Sequence, residues 1–226
     1  LYTLAWQAAP LVAMSESAKG PDSWLILGSG ELADALIAQV QTLAPATAIF
    51  RTGINEAASD SGAMRRLVNH IAAQQRSVGV IFLGDRPADE TTTPVPEQTL
   101  DTCSALLHVT QALVATTLTA RLWLVTSNCQ PVNETLRPIT GRPVGPATTA
   151  AVTGALWGLG RTLAQEQPQL HTVCIDLAHD ADVAQQAALL RQEFVMSMHA
   201  PQPETQVAYR AGQRYVAQIQ PWQAPK

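Results

Sequence analysis

A doubly wound α/β fold is what this sequence predicts, and three observations predict it. Short apolar runs alternate with amphipathic helical patterns along most of the chain, Gly28-x-Gly30-x-x-Ala33 stands between one such run and one such helix, and both ends alternate with a period of two. Strands separated by helices pair in parallel, because each connection must travel back across the face of the sheet.

The elements follow in order. Leu1–Trp6 alternates and reads as a strand, set apart from the rest by the polar, Gly/Pro-marked segment Ser15–Asp22. Ser23–Leu27 reads as a buried strand, followed at once by Gly28-Ser29-Gly30 and a helix over Glu31–Leu43. Ala46–Arg51 is the next strand, and Ser61–Gln75 a helix with Met64, Leu67, Val68 and Ile71 on one face. Val78–Leu83 is apolar on both sides, as a sheet covered by helices requires. A helix over Glu97–Leu118, with apolar Leu100, Cys103, Leu106, Leu107, Val109, Leu113 and Val114, leads into the strand Arg121–Val125. Past a loop rich in Pro and Gly come a helix over Thr148–Gln167, a strand over Thr172–Leu177 and a helix from Ala181 to about Met198. Gln206–Arg210 and Arg214–Ile219 then alternate around Ala211-Gly212, which predicts an antiparallel hairpin. We expect this hairpin to pair with Leu1–Trp6 and bring the chain ends together.

Composition narrows the function. At 226 residues and 46% hydrophobic content the chain can bury a substantial core. With 14% charged residues and a formal net charge of -4 there is no basic stripe for nucleic acid or an anionic membrane. No apolar run reaches the length of a membrane span, and the first residues lack a signal-peptide order, so a cytosolic location is expected. Cys103, Cys129 and Cys174 are odd in number and far apart, which argues against disulfides and a zinc site and for reduced, mostly buried thiols.

Candidate chemistry is sparse. The Gly28/Gly30/Ala33 pattern sits in the strand-to-helix context in which backbone N–H groups approach a pyrophosphate. Against it, Glu31 places a carboxylate at the same positive helix end, and the following strand ends in Arg51 rather than a ribose-binding acid, although Arg51 could meet a 2′-phosphate. A short-chain reductase needs a tyrosine to protonate the carbonyl oxygen, a serine to hydrogen-bond it and a lysine to lower the tyrosine pKa. Tyr2, Tyr209 and Tyr215 all fall in the terminal segments, and none has Lys or Asn four positions on. Ser127 follows a strand but lacks a tyrosine on the next helix, so it reads as a strand-end hydroxyl. His70, His108, His171, His179 and His199 have no metal-ligand spacing, and Asp85, Asp89 and Glu90 read as a solvated loop with Arg86 as counter-charge. Trp157 with Gly158 and Gly160 suggests a helix face kept small for a close approach, most simply within the domain's own core. The expectation is therefore no catalytic, cofactor-binding or metal-binding residue in this chain.

Five segments in order carry a resemblance: Leu1–Trp6, Trp123-Leu124-Val125-Thr126, the run from Ala155-Leu156-Trp157-Gly158-Leu159-Gly160-Arg161 to Glu166-Gln167-Pro168, Val173–Leu177, and the hairpin Gln206–Arg210 with Arg214–Ala217. Together they resemble the structural subdomain of ketoreductases in modular type I polyketide synthases, over essentially the whole chain. The resemblance implies a truncated Rossmann-like, short-chain-reductase fold in one subdomain, with an N-terminal strand and linker (1–22), a core (23–199) and the terminal hairpin (205–219). It implies a non-catalytic scaffold that packs against a catalytic half, which binds NADPH and reduces a β-keto group on a carrier-tethered chain. At Gly145–Thr153, where active members carry tyrosine and then lysine or asparagine four positions on, this sequence has Thr149 and Thr153. Two other readings stand beside this one: a linker pseudo-ketoreductase beside a methyltransferase or enoylreductase, and a self-contained NADP-binding reductase using Gly28, Gly30 and Arg51.

Overall fold

The computed structural model describes residues 1–11, 20–84, 94–132, 147–178, 181–200 and 203–222. Its strands are β1 (Tyr2–Ala8), β2 (Ser23–Leu27), β3 (Ala48–Thr52), β4 (Ser77–Leu83), β5 (Thr119–Ser127), β6 (Val173–Leu177), β7 (Gln206–Arg210) and β8 (Gln213–Pro221). Its helices are α1 (Glu31–Leu43), α2 (Ile54–Ser59), α3 (Ser61–Gln74), α4 (Val95–Val114), α5 (Ala147–Glu166) and α6 (Val183–His199), with a 3₁₀ turn at Pro168–Leu170.

All eight strands form one mixed sheet in the order β1-β8-β7-β6-β5-β4-β2-β3. Pairing is parallel from β3 through β7 and antiparallel for β7–β8 and β8–β1. Counted along the parallel strands alone, the order starts 2-1-3-4 rather than 3-2-1-4, so the half before the switch point between β2 and β4 is one strand short of a full dinucleotide-binding sheet. That is the truncation in structural terms.

Two apolar layers follow from the burial of β2, β4 and β6 on both faces. One face packs Leu25, Val80, Phe82, Leu122 and Leu124 under α2 to α5, and the other packs Trp24, Ile26, Ile81, Trp123 and Ile175 under α1 and α6. Trp24, Trp123 and Phe194 form an aromatic cluster with centroids 4.8–5.7 Å apart. The Trp123 indole N–H donates to Ser197 Oγ at 2.9 Å, so the polar edge of this fully buried ring has its partner.

The expected pairing of the termini is present. Tyr2 stands opposite Pro221, Leu4 opposite Ile219, Trp6 opposite Ala217 and Ala8 opposite Tyr215. The β7–β8 turn places Ala211 and Gly212 at φ 49 and 74, the left-handed pair that a two-residue hairpin turn demands. Boundaries otherwise shift by a few residues, with three larger corrections. A short helix, α2, fills the connection after β3, started by Glu56 reaching back to the N–H of Gly53 at 3.1 Å. The fourth helix stops at Val114, with Thr116 turning the chain through its hydroxyl bond to Leu113 O. On that helix Leu106, Val109 and Leu113 are buried, whereas Leu100, Leu107 and Val114 lie on the solvent side. Of the thiols, Cys174 is buried and Cys103 and Cys129 are half-buried, all three free.

Candidate functional site

In a parallel sheet with helices on both faces, chemistry is built at the carboxyl ends of the strands beside the switch point. Here that edge is formed by the β2–α1 turn, the exits of β4, β5 and β6, and the head of α5. Gly28 (φ 140) and Gly30 (φ 91) make the β2–α1 turn in conformations side chains avoid, and a Cβ on Gly28 would lie 2.8 Å from Leu83 Cβ. The glycines therefore let β2 and β4 exit side by side. Ala33 is buried against the sheet.

Arg51 and Asp34 beside this turn pair with each other. Arg51 Nη1 donates to Asp34 Oδ1 at 2.6 Å, and Arg51 Nε to Gly28 O at 3.2 Å. Asp34 and Glu31 both lie in the first turn of α1, so the positive helix end already faces two carboxylates. A dinucleotide would need the opposite: an acid on the ribose, or an uncommitted arginine for a 2′-phosphate, and an unopposed helix end for the pyrophosphate.

At the exits of β5 and β6 lies a buried polar knot. Asp176, inside the wholly buried β6, accepts from Thr126 Oγ1 at 2.7 Å, from the N–H groups of Cys129 and Gln130 at 3.0 Å, and from Arg210 Nη2. Arg210 also donates to the carbonyls of Tyr209, Gln130 and Asp176 at 2.8–3.1 Å. Asn128, at φ 49, turns the chain so that its N–H reaches Leu177 O at 2.9 Å. The loop after β5 is pinned from below, and Ser127 is the last, half-buried residue of its strand. Burial first, then the charge of Asp176, pushes the Cys129 thiol far up, and burial pushes Cys174 up to about 12.

No tyrosine lies on α5. Tyr209 Oη donates to Glu193 Oε2 at 2.7 Å on the α6 face, where burial, then the Glu193 charge, raises its pKa well above the usual value. Tyr2 is exposed on β1 and Tyr215 donates to Gln213 Oε1 at 2.8 Å. Thr149 and Thr153 lie one turn apart in α5, and Thr153 is buried. An aliphatic hydroxyl is far less acidic than a phenol, so this pair cannot replace a tyrosine and its lysine.

Of the remaining candidates, His70 and His108 have hydrogen-bond partners. His70 hydrogen-bonds Gln74 Nε2 at 3.0 Å, His108 Nδ1 lies 2.9 Å from Ala57 O, His171 turns the chain at φ 44 and His199 ends α6. His179, Asp85, Arg86, Asp89 and Glu90 lie outside the described residues. Gly160 is the close approach expected on α5, since a Cβ there would meet Leu124 Cδ1 at 2.5 Å and Cys174 Sγ at 2.6 Å. Gly154 and Gly158 face open space instead. Trp157 is buried, edge-on to Trp6, with its N–H 3.4 Å from Gln206 Oε1. Among the described residues no cluster of three or more His, Cys, Asp or Glu could hold a metal, and no helix is long and apolar enough to cross a membrane.

A second buried network escaped the sequence. Glu193 accepts from Arg214 Nε at 2.7 Å, from Arg214 Nη2 at 2.9 Å and from Tyr209, while Arg214 Nη1 donates to Ala9 O at 3.1 Å. Both carboxylates had left a signal: Asp176 interrupts an apolar strand, and Glu193 sits among Leu190, Phe194 and Ser197 on the buried stripe of α6. A charge in such a place demands a partner.

No family model matches the chain. Over 233 aligned residues it is 30% identical to a subunit of the phenolphthiocerol/phthiocerol polyketide synthase of Mycobacterium tuberculosis, an alignment covering 97% of this chain and 13% of that protein. The chain is homologous to a segment of a polyketide synthase. Its fold is that of the synthases' ketoreductase domains: A-type ketoreductases from a modular polyketide synthase superpose with a TM-score of 0.61 at 24% identity, over 96% of this chain and 42% of theirs. A short-chain dehydrogenase/reductase-family oxidoreductase from Brucella ovis, solved with a partially ordered NAD, superposes at TM-score 0.58 and 10% identity, over 84% of this chain and all of that one. The chain thus spans 13% of the curated relative it matches, and its fold is Rossmann-like.

Proposed function

We propose that this polyketide synthase segment is the structural subdomain of a ketoreductase, occupying residues 1–226 and carrying no active site. It stabilises and positions a catalytic half in the same megasynthase, in the cytosol, and that half binds NADPH and reduces the β-keto group of a carrier-tethered chain. The observation that carries this reading is the carboxyl edge of the sheet: α5 begins with Thr149 and Thr153 in place of a tyrosine and its basic partner, and Arg51 is committed to Asp34 and Gly28. Support also comes from coverage, since the chain accounts for 42% of a matched ketoreductase chain and leaves the larger part to a second half. Burial of apolar surface between the halves is the expected basis of the stabilisation.

Titration of the 226-residue chain with NADPH, followed by nucleotide fluorescence, tests the reading. No saturable binding at micromolar concentrations is expected; micromolar binding would replace the scaffold with a self-contained reductase.

A further inference from the structure

We propose that the cleft between the second half of α5 and the amino ends of β6 and β7 is a binding site for a small monocarboxylate, with Arg161 and Gln206 as the side chains that recognise it. The cleft lies at the opposite edge of the sheet from the carboxyl ends of its strands, so the site does not depend on whether this chain is catalytic.

The position follows from the fold. Gly160 lets α5 press against Leu124 and Cys174, and just past that contact Arg161, Ala164 and Gln165 of the helix face the start of β7 at Gln206. These residues bound about 310 Å³, at the small end of the range of roughly 300–1,000 Å³ found for ligand sites. The floor is core, since Cys174 is buried, while Arg161 and Gln165 are exposed at the mouth. A ligand could therefore enter without any rearrangement of the helix.

Hydrogen bonding fixes what the cleft offers. Gln206 Oε1 accepts from Arg161 Nε at 2.8 Å and from Trp157 Nε1 at 3.4 Å, which occupies both of its lone pairs. The amide is thereby oriented, and what Gln206 has left is its NH₂. The guanidinium is held by its Nε, and what Arg161 has left is the fork of its two Nη groups. Among the described residues no carboxylate forms an ion pair with Arg161, and no acid lines the cleft.

A ligand must then bring acceptors and a single negative charge. The two Nη groups form parallel N–H···O bonds to the two oxygens of a carboxylate, and the Gln206 NH₂ adds a neutral donor beside them. One guanidinium balances one charge, so a dianion such as sulfate would keep an excess that nothing else in the cleft offsets. Ala164 and the Cys174 thiol supply an apolar wall for a short hydrocarbon tail. Burial keeps that thiol protonated, so it meets the tail as an uncharged group.

Titration of the chain with sodium butyrate at constant ionic strength, followed by nitrogen–proton NMR of Arg161 Nε–H and Trp157 Nε1–H, tests the site, because both groups share the Gln206 oxygen. Saturable shifts of both signals at millimolar butyrate are expected, with weaker binding of sulfate and none of butyramide. Arg161→Gln should weaken butyrate binding about tenfold, read on Trp157. Arg161→Lys, which keeps the charge without the fork, should weaken it several-fold. Melting temperatures are read alongside, and if the glutamine variant is unfolded the lysine variant carries the comparison. Shifts that do not saturate, butyramide or sulfate binding as tightly as butyrate, or an affinity for butyrate unchanged in the folded variants would each overturn the inference.

Discussion

Two buried carboxylates each hold an arginine of the β7–β8 hairpin, and they do so differently. Asp176 is surrounded largely by two backbone N–H groups of the loop after β5 and the Thr126 hydroxyl of β5, with an arginine whose side chain keeps 19% of its exposure. Glu193 is held by side chains from two strands, in an ion pair whose arginine and glutamate are 4% and 1% exposed. The first fixes a loop beside the place where reductases of this fold do chemistry. The second fastens the terminal ribbon of β1 and β8 to α6. The lesson is one of dielectric: breaking a pair sealed from water strands its remaining charge, while a partly wetted partner can turn to solvent.

The sharpest test of this contrast is Glu193→Ala, which leaves the Arg214 guanidinium buried and unpaired. A loss of about 3–5 kcal/mol in urea denaturation is expected, and a loss under about 1 kcal/mol would break the contrast. Asp176→Asn keeps the shape and one acceptor and lets Arg210 reach water, so about 1.5–3 kcal/mol is expected in the same measurement. If it costs more than Glu193→Ala, the ranking by burial is wrong.

A control touching neither carboxylate compares the two sides of α5. Gly160→Ala must push on Leu124 and Cys174 and should cost about 1–3 kcal/mol, whereas Gly158→Ala meets open space and should gain up to about 1 kcal/mol of helix propensity. Thermal melting of the two variants should therefore move in opposite directions.

The smallest effect sharpens the Glu193 side alone. Tyr209→Phe removes one hydrogen bond and should cost about 1 kcal/mol near neutral pH, since Arg214 still binds Glu193. Its signature is alkaline. The folded phenol has a pKa raised above the ordinary 10 of the unfolded chain. Between these values the unfolded state has lost a proton that the native state keeps, so the Tyr209 contribution is complete below about pH 10 and is lost as pH rises through the folded pKa. Denaturation midpoints measured from about pH 8 to 11 should fall less steeply in the phenylalanine variant than in the parent.

Much of the fold was legible because period and punctuation agree. Ser23–Leu27 is apolar after its first residue and leads into two glycines, and Ala211-Gly212 between alternating segments leaves little choice but a hairpin. The order of strands was less accessible, since pairing across β6 and β7 is set by packing rather than by neighbours in sequence. On α4 the pattern misleads, because Leu100, Leu107 and Val114 lie on the outer side of a helix whose inner side is already filled. The candidate site was legible where it depends on residue type, as with threonine at 149 and 153. What Arg51, Arg210 and Arg214 hold was not, because each long side chain reaches another segment of the chain: Arg51 back to residues 28 and 34, Arg210 to residues 130 and 176, and Arg214 to residues 9 and 193.

The meeting of Leu1 and Trp222, where the Trp222 N–H donates to Leu1 O at 3.0 Å, has a mechanical consequence. Tension applied between these two residues would load β1 and β8 as a zipper, opening Tyr2–Pro221 first and the next rungs one at a time rather than shearing all of them together. The opening would reach Trp6 and then stall at Arg214, which grips Ala9 and Glu193 at once. The ribbon would yield to small forces at its tip while its root held the sheet closed.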